Sequence, residues 1–352
     1  MSSSHLTEAP RGLRRLLHRF VPAHFQDPVG LARRLLGSGD ADAYAAMGHA
    51  ALGVACAPLD LLLEPSERRL YQAASPPVLP QLFVCGPPRS GTTLVAQALI
   101  AHLPVAWLSN LTAVFPRSPI RAMRLFSRRL PSWRANYRSY YGRSRLLNAP
   151  NDSLQIWDRW LGADRTRLRA ELTAEEREAM VRFFGALEQF TRHPLITKNN
   201  NLNLQALPVA GALPGARFLV LDREPEFLAQ ALLVARREIH GNLSAPYGLH
   251  PDFRAGDDPI TSVCRQVVAH RRAGAELHAA LGPERSMVLS YEEFCTHPEG
   301  AMARIATDLL GIDPAMGCPM PRGLRFTASR KRRLPPDEFA AIEEGLGRLQ
   351  GA

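Results

Sequence analysis

The sequence predicts an α/β protein built on a doubly wound parallel sheet flanked by helices. Three observations carry that expectation. Apolar runs of strand length stand at Gln81–Cys85, Ala216–Asp222 and Ser286–Ser290. Each is followed by a polar or glycine-bracketed turn and then by a helical pattern, over residues 94–100, 227–237 and up to 310. Finally, 46% of the 352 residues are hydrophobic, which is enough for a sizeable core and too many for wholesale disorder. Strands alternating with helices make parallel sheets, and such sheets gather ligands at the carboxyl ends of their strands.

The elements follow in order. Residues 10–36 interleave Arg11, Arg14, Arg15, Arg19, Arg33 and Arg34 with Leu13, Leu16, Leu17, Phe20, Leu31 and Leu35. This reads as one or two basic amphipathic helices, broken near Pro22 and Pro28. They could lie on an anionic bilayer as a peripheral contact, but packing on the main domain with arginines in water is the favoured reading. Residues 40–63 are alanine- and leucine-rich and helical. The stretch Ser75-Pro-Pro-Val-Leu-Pro80 is an extended lead into the first core strand and a natural boundary. The expected organisation is therefore a helical N-terminal extension over 1–75, an α/β domain over 76–334 and a C-terminal helix over 335–352. A short second strand is expected within 104–109. Residues 117–145, with Trp133, Tyr137, Tyr140 and Tyr141, are either an irregular helical insertion or a basic flap lining a ligand cleft. Thr173 ahead of Glu175 and Glu176 marks the start of a helix over 172–190.

The formal charge of +10 is carried almost wholly by arginine, since the lysines are Lys198 and Lys331. That balance suits anionic ligands such as nucleotides, sulfated or phosphorylated glycans and acidic membrane surfaces. No recognition-helix, zinc-finger or aromatic RNA-binding pattern supports nucleic acid. Cys56, Cys85, Cys264, Cys295 and Cys318 are scattered without CxxC or Cys/His spacing, so neither a disulfide framework nor a metal site is expected. With no leader-like or membrane-spanning apolar run, a cytoplasmic setting is the simplest expectation.

The turn after the first strand is the most specific motif. Gly86-Pro87-Pro88-Arg89-Ser90-Gly91-Thr92-Thr93 has the Walker A spacing G-x-x-x-x-G-K-[ST], but Thr92 stands in the lysine position and the cation lies at Arg89. A strand, a glycine-bracketed loop and a helix N-terminus together cradle a phosphate. Without the lysine, the loop suits a 5′-phosphate carrying another transferable group better than a γ-phosphate.

From Pro88 to Leu94 the chain resembles the 5′-phosphosulfate loop of the sulfotransferases, which use 3′-phosphoadenosine 5′-phosphosulfate (PAPS). The resemblance implies a P-loop-type fold in which Pro88, Arg89, Ser90, Gly91, Thr92, Thr93 and Leu94 hold the 5′ end of the nucleotide. Further segments extend it over roughly 80–334. Ile196-Thr197-Lys198-Asn199-Asn200 is similar to the family's K-x-P stretch, implying that Lys198 approaches the bridging oxygen of the donor; Asn200 departs from the usual proline. Residues 218–225 resemble the 3′-phosphate motif, implying that Arg223 grips that phosphate, although Ala231 replaces the expected serine. Tyr291, Glu292, Pro298 and Gly311 fit a structural motif near the end of the core. The basic run with Arg330 and Lys331 lies where relatives close over the 3′-phosphate.

Sulfuryl transfer needs in-line positioning, cations over the moving group and a base for the acceptor proton. Relatives take the base from just after the second strand, where this chain has Leu108-Ser109-Asn110. Asp152 is the leading substitute, against an ordinary helix-capping role, followed by His102 and His193. The resemblance thus implies a PAPS-dependent enzyme acting on a hydroxyl of a carbohydrate, glycolipid or other metabolite, with Lys198, Arg89 and Asp152 as catalytic candidates and no metal. A P-loop kinase and a non-catalytic nucleotide-binding scaffold are the alternatives.

Overall fold

The computed structural model describes residues 28–142, 144–317 and 324–350. Three helices precede the sheet: α1 (Pro28–Gly37), α2 (Ala41–Ala55) and α3 (Ala57–Ala73). Asp40 caps α2 by accepting from the N–H groups of Asp42 and Ala43. The helical stretch expected over 40–63 thus becomes two helices, bent by 67° where they meet, and it runs ten residues further to Ala73. Residues 10–27 of the basic amphipathic segment lie outside the described residues. Its described part, α1, rests on the core: Arg34 donates to the Ile239 carbonyl at 3.2 Å. Among the described residues no single helix is long and apolar enough to cross a membrane.

Five parallel strands form one sheet in the order β2–β3–β1–β4–β5. They are β1 (Gln81–Cys85), β2 (Ala106–Trp107), β3 (Leu195–Lys198), β4 (Ala216–Asp222) and β5 (Ser286–Ser290). Strands β1, β4 and β5 fall where the apolar runs put them. The segment around Lys198, expected only as a motif, is itself a strand paired with β1, with Val84 opposite Lys198. On its other side β1 pairs with β4. The chain therefore leaves β1 toward one edge and returns to build the other, which makes the carboxyl end of β1 the switch point where open α/β sheets bind ligands.

The remaining helices are α4 (Thr92–His102), α5 (Asn110–Val114), α6 (Pro119–Phe126), α7 (Leu154–Leu161), α8 (Ala174–Thr191), α9 (Leu202–Ala212), α10 (Pro225–Ala235), α11 (Pro259–Leu281), α12 (Tyr291–Thr296), α13 (Pro298–Arg304) and α14 (Pro336–Gln350). Period-two alternation in β1 divides the core. Phe83 meets Trp157, Phe184 and Phe218 at ring separations of 5.5, 5.9 and 5.4 Å on one face, while Leu82 and Val84 pack with Val95, Leu99 and Leu219 on the other. Helix α8 starts on a capping box, Thr173 and Glu176 each bonding the other's backbone. Helix α14 closes a third cluster over Leu228, Leu232, Val263 and Val267 through Ile342 and Leu346.

Helix α3 joins the insertion between β2 and β3 through buried carboxylates. Asp60 accepts from the N–H groups of Arg117 and Ser118, and Glu67 from those of Ile120 and Arg121, at 2.7–3.1 Å. Two negative charges thus occupy the N-terminus of α6, whose first amides have no intrahelical acceptor.

The extended lead into β1 lies on α8. Glu188 accepts from the N–H groups of Val78 and Leu79 at 3.1 and 2.9 Å, and a methyl group on Gly185 would come within 1.9 Å of the Ser75 carbonyl oxygen. Gly185→Ala is expected to lower stability by about 1–3 kcal/mol, the usual range for overpacking. Urea unfolding checks this, and an unchanged midpoint would mean that the lead-in yields freely.

Candidate functional site

The site begins where β1 ends. Gly86 takes φ +143 with its α-carbon against β4: an added methyl would sit 2.7 Å from the Leu221 carbonyl oxygen. The loop then turns through Arg89 at φ +74 and Gly91 at φ +97, left-handed conformations that place Thr92 and Thr93 at the start of α4. The side of Gly91 is filled by the Tyr291 ring, which an added methyl would meet at 2.2 Å. Glycine here is therefore set by both backbone angle and space.

Several loop groups have no partner among the described residues. The Arg89 Nε–H and the Ser90 hydroxyl are buried and make no hydrogen bond. The first amides of α4 lack intrahelical acceptors by geometry. Among the described residues no carboxylate is ion-paired with Arg89. Buried polar groups are ordinarily satisfied, so a cationic cradle of orphan donors at a helix N-terminus is suited to an anion. Thr92 differs: its hydroxyl donates to Asn200 Oδ1 at 2.8 Å. Asn200, which departs from the family pattern, is thus a structural brace of the loop.

At the end of β3, Lys198 is 7% exposed and lies 2.6 Å from the Asp152 carboxylate. Asp152 arrives there because residues 150–151 run antiparallel to the chain leaving β2. Ser109 bridges Pro150, and the Asn151 N–H donates to the Leu108 carbonyl at 2.9 Å. Asn151 Oδ1 then accepts from the Ser153 N–H, and Ser153, not Asp152, is the N-cap residue of α7. The capping alternative for Asp152 is therefore corrected. Gly142 descends on the same spot: a methyl built on it would lie 3.1 Å from Lys198 Nζ, 3.5 Å from Thr93 Oγ1 and 4.0 Å from Asp152 Oδ2. Loop, β3 and insertion thus converge on one point. Beside it lies a small pocket of about 10 Å³, room for about one water, walled by Ala96, Gln97, Ile100, Leu108 and Asn151.

At the end of β4, Arg223 gives two hydrogen bonds to backbone, one to the Arg89 carbonyl at 2.8 Å and one to the Ser329 carbonyl at 3.3 Å. It also stacks over Tyr291 at 5.3 Å, and burial pushes the guanidinium below its ordinary pKa. Residues 329–334 run alongside, held by Gln230, which donates to the Lys331 carbonyl and accepts from the N–H groups of Arg333 and Leu334. Arg330 is paired with Glu224, and the Lys331 side chain is exposed. Pro88 packs under Gly248. The two histidines lie elsewhere. His102, at the far end of α4, bonds to the Tyr137 hydroxyl at 3.0 Å, and His193 is exposed at the amino end of β3, across the sheet from the loop.

Sequence reasoning named Tyr141 only as one aromatic of the insertion and passed over Gly142 and Glu238. Tyr141 stands 4.4 Å under the Arg89 guanidinium and donates to Glu238. Their one signal was the aromatic and arginine-rich composition of the insertion.

A parallel α/β sheet with an anion-receptive turn at its switch point, backed by a buried lysine–aspartate pair, has the makings of a group-transfer enzyme. The comparisons give the family. The Sulfotransferase family model matches residues 80–313, and the chain belongs to that family: it is a sulfotransferase. Among solved structures, sulfotransferase STF9 from Mycobacterium avium is similar over 99% of this chain and 90% of its own, with 15% identity and a TM-score of 0.51. Sulfotransferase STF1 from Mycobacterium tuberculosis H37Rv aligns over 87% and 90%, with 12% identity and a TM-score of 0.49. No curated protein sequence matches the chain.

Proposed function

We propose that the enzyme takes its sulfuryl group from PAPS and delivers it to a hydroxyl of a carbohydrate, glycolipid or other hydroxylated metabolite. The observation that carries this reading is the convergence of Lys198, Asp152 and Thr93 beside a loop whose Arg89 and Ser90 donors are unsatisfied. When bound, the donor supplies a sulfuryl group already activated by its phosphate leaving group.

The chain's own residues then have separable tasks. The loop from Pro88 to Leu94 holds the 5′ end, with Arg89, Ser90 and Thr93 as its side-chain donors. Lys198 puts a compact positive charge where the bridging oxygen gains electrons as its bond to sulfur breaks. Asp152 accepts the acceptor's proton as that hydroxyl oxygen bonds to sulfur. Its 2.6 Å contact with Lys198 fixes base and cation to one geometry. Arg223, Arg330 and Lys331 frame the 3′-phosphate side; Arg223 would have to release the Ser329 carbonyl to grip that phosphate fully. With Ala231 at the serine position, main-chain and side-chain donors of 329–331 supply the remaining contacts.

Calorimetry with adenosine 3′,5′-bisphosphate (PAP), PAPS and ATP–magnesium tests the donor, with binding of the first two expected. Preference for ATP would sink the reading. Asp152→Asn is expected to retain PAP binding and lose about 10²–10⁴-fold in transfer of labelled sulfate, the usual weight of a general base. Full activity in that variant would remove Asp152 from the role.

A further inference from the structure

The geometry points to Tyr141 and Glu238 as a pair of positioning residues that aim Arg89, an inference that rests on the role proposed above for the loop. Arg89 is a left-handed residue of the loop, φ +74, and its Nε–H is buried. What receives its side chain is the face of Tyr141, 4.4 Å from the guanidinium carbon. The Tyr141 hydroxyl donates to the carboxylate of Glu238, ninety-seven residues further along the chain, in the π-helical turn Arg236–His240 that follows α10. Tyr140 and Tyr247 meet the Tyr141 ring edge-on at 4.9 and 5.9 Å and fix its plane.

The chemistry of this relay differs from that of an ordinary ion pair. A carboxylate bonded directly to Arg89 would occupy the guanidinium N–H groups that an anion needs. Acting through the phenol, Glu238 instead enriches the ring that the cation rests on, and a cation over an electron-rich face is attracted without spending a hydrogen bond. The guanidinium is thereby held and partly compensated, while its Nε–H has no partner among the described residues. Burial keeps the Tyr141 phenol protonated, so it remains a donor to Glu238. The platform also belongs to the insertion that brings Gly142 down onto Lys198 and Thr93. One latch thus sets both the aim of Arg89 and the depth of the backbone over the transfer point.

The test uses the full chain and two readouts that need no acceptor: calorimetric PAP affinity and the rate at which PAPS is cleaved to PAP and sulfate. Tyr141→Phe keeps the ring and loses the relay, whereas Glu238→Gln keeps the shape and loses the charge. Each is expected to slow cleavage by about 3–10-fold, the net weight of one ordinary hydrogen bond. The double variant should be no slower than the worse single, because both break the same link. Tyr141→Leu removes the platform and should cost more, roughly 30-fold or above. A residue that merely packs the insertion would leave cleavage by Tyr141→Phe and Glu238→Gln at the wild-type rate, or the two effects would multiply in the double variant; either result overturns the proposal. Wild-type protein that fails to bind PAP would overturn the donor assignment, and this inference with it. Wild-type binding with indifferent variants overturns the inference alone.

Discussion

Replacing Lys198 by alanine is expected to lower the sulfuryl-transfer rate by about 10²–10³-fold, the loss seen when a preorganised donor to a developing negative charge is removed. PAP affinity should change less than tenfold in the same variant. The division follows from position. Lys198 ends β3 against β1, with its ammonium group beside Asp152 and under Gly142, where the reacting bond would lie and not along the loop that grips the 5′-phosphate. Removing it also frees Asp152, whose side chain is 22% exposed and can be solvated, so the fold should survive. Lys198→Arg is a sharper probe. Its larger planar head has no room between Gly142 and Thr93 and should restore little activity. Equal losses of PAP affinity and turnover would show Lys198 to be a binding residue and sink the assignment.

The second large effect is expected from a single methyl group. Gly91→Ala asks an L-residue to hold φ +97 and pushes its β-carbon to 2.2 Å from a Tyr291 ring carbon. The left-handed backbone alone costs about 1–2 kcal/mol. The ring cannot retreat without disturbing Arg223, which stacks on it and bonds the carbonyl of Arg89. Strain at Gly91 therefore reaches the loop twice, directly and through Arg223. A penalty of about 2 kcal/mol borne by the bound state alone corresponds to roughly 30-fold in affinity. Calorimetry with PAP, run beside a thermal melt, separates lost binding from lost folding. Wild-type affinity in Gly91→Ala would mean that the loop does not hold the nucleotide in this shape.

Where the chain repeats a short-range physical signal, its structure could be read directly. Strands β1, β4 and β5 are apolar runs closed by turns, and Thr173 announces α8 because a capping box is a four-residue event. Strand β3 has only four residues, too few for a period, and was visible only as the surroundings of a lysine. The loop glycines were legible because positive φ favours one residue type. Asp152 was reached by asking what could replace a missing base, yet nothing nearby in the sequence says that Lys198 would be its partner. Tyr141 and Glu238 were out of reach for the same reason. A phenol–carboxylate bond across ninety-seven residues leaves no local trace, and Tyr141 sits among equally plausible aromatic neighbours. Tyr291, expected only as scaffold, proves to wall Gly91 and carry Arg223.

The carboxylates of Asp60 and Glu67 bear on how small this enzyme can become. The match to the family model starts at residue 80, yet four amides of the segment after it donate to side chains from before it. Trimming to the matched stretch would strip α6 of its acceptors and remove Cys56 and Leu63 from the cluster of Leu111, Val114, Phe115 and Ala122 that they pack against. The insertion bearing the tyrosines would then lose its footing. The helices ahead of the sheet brace the insertion, and an active fragment is expected to keep them.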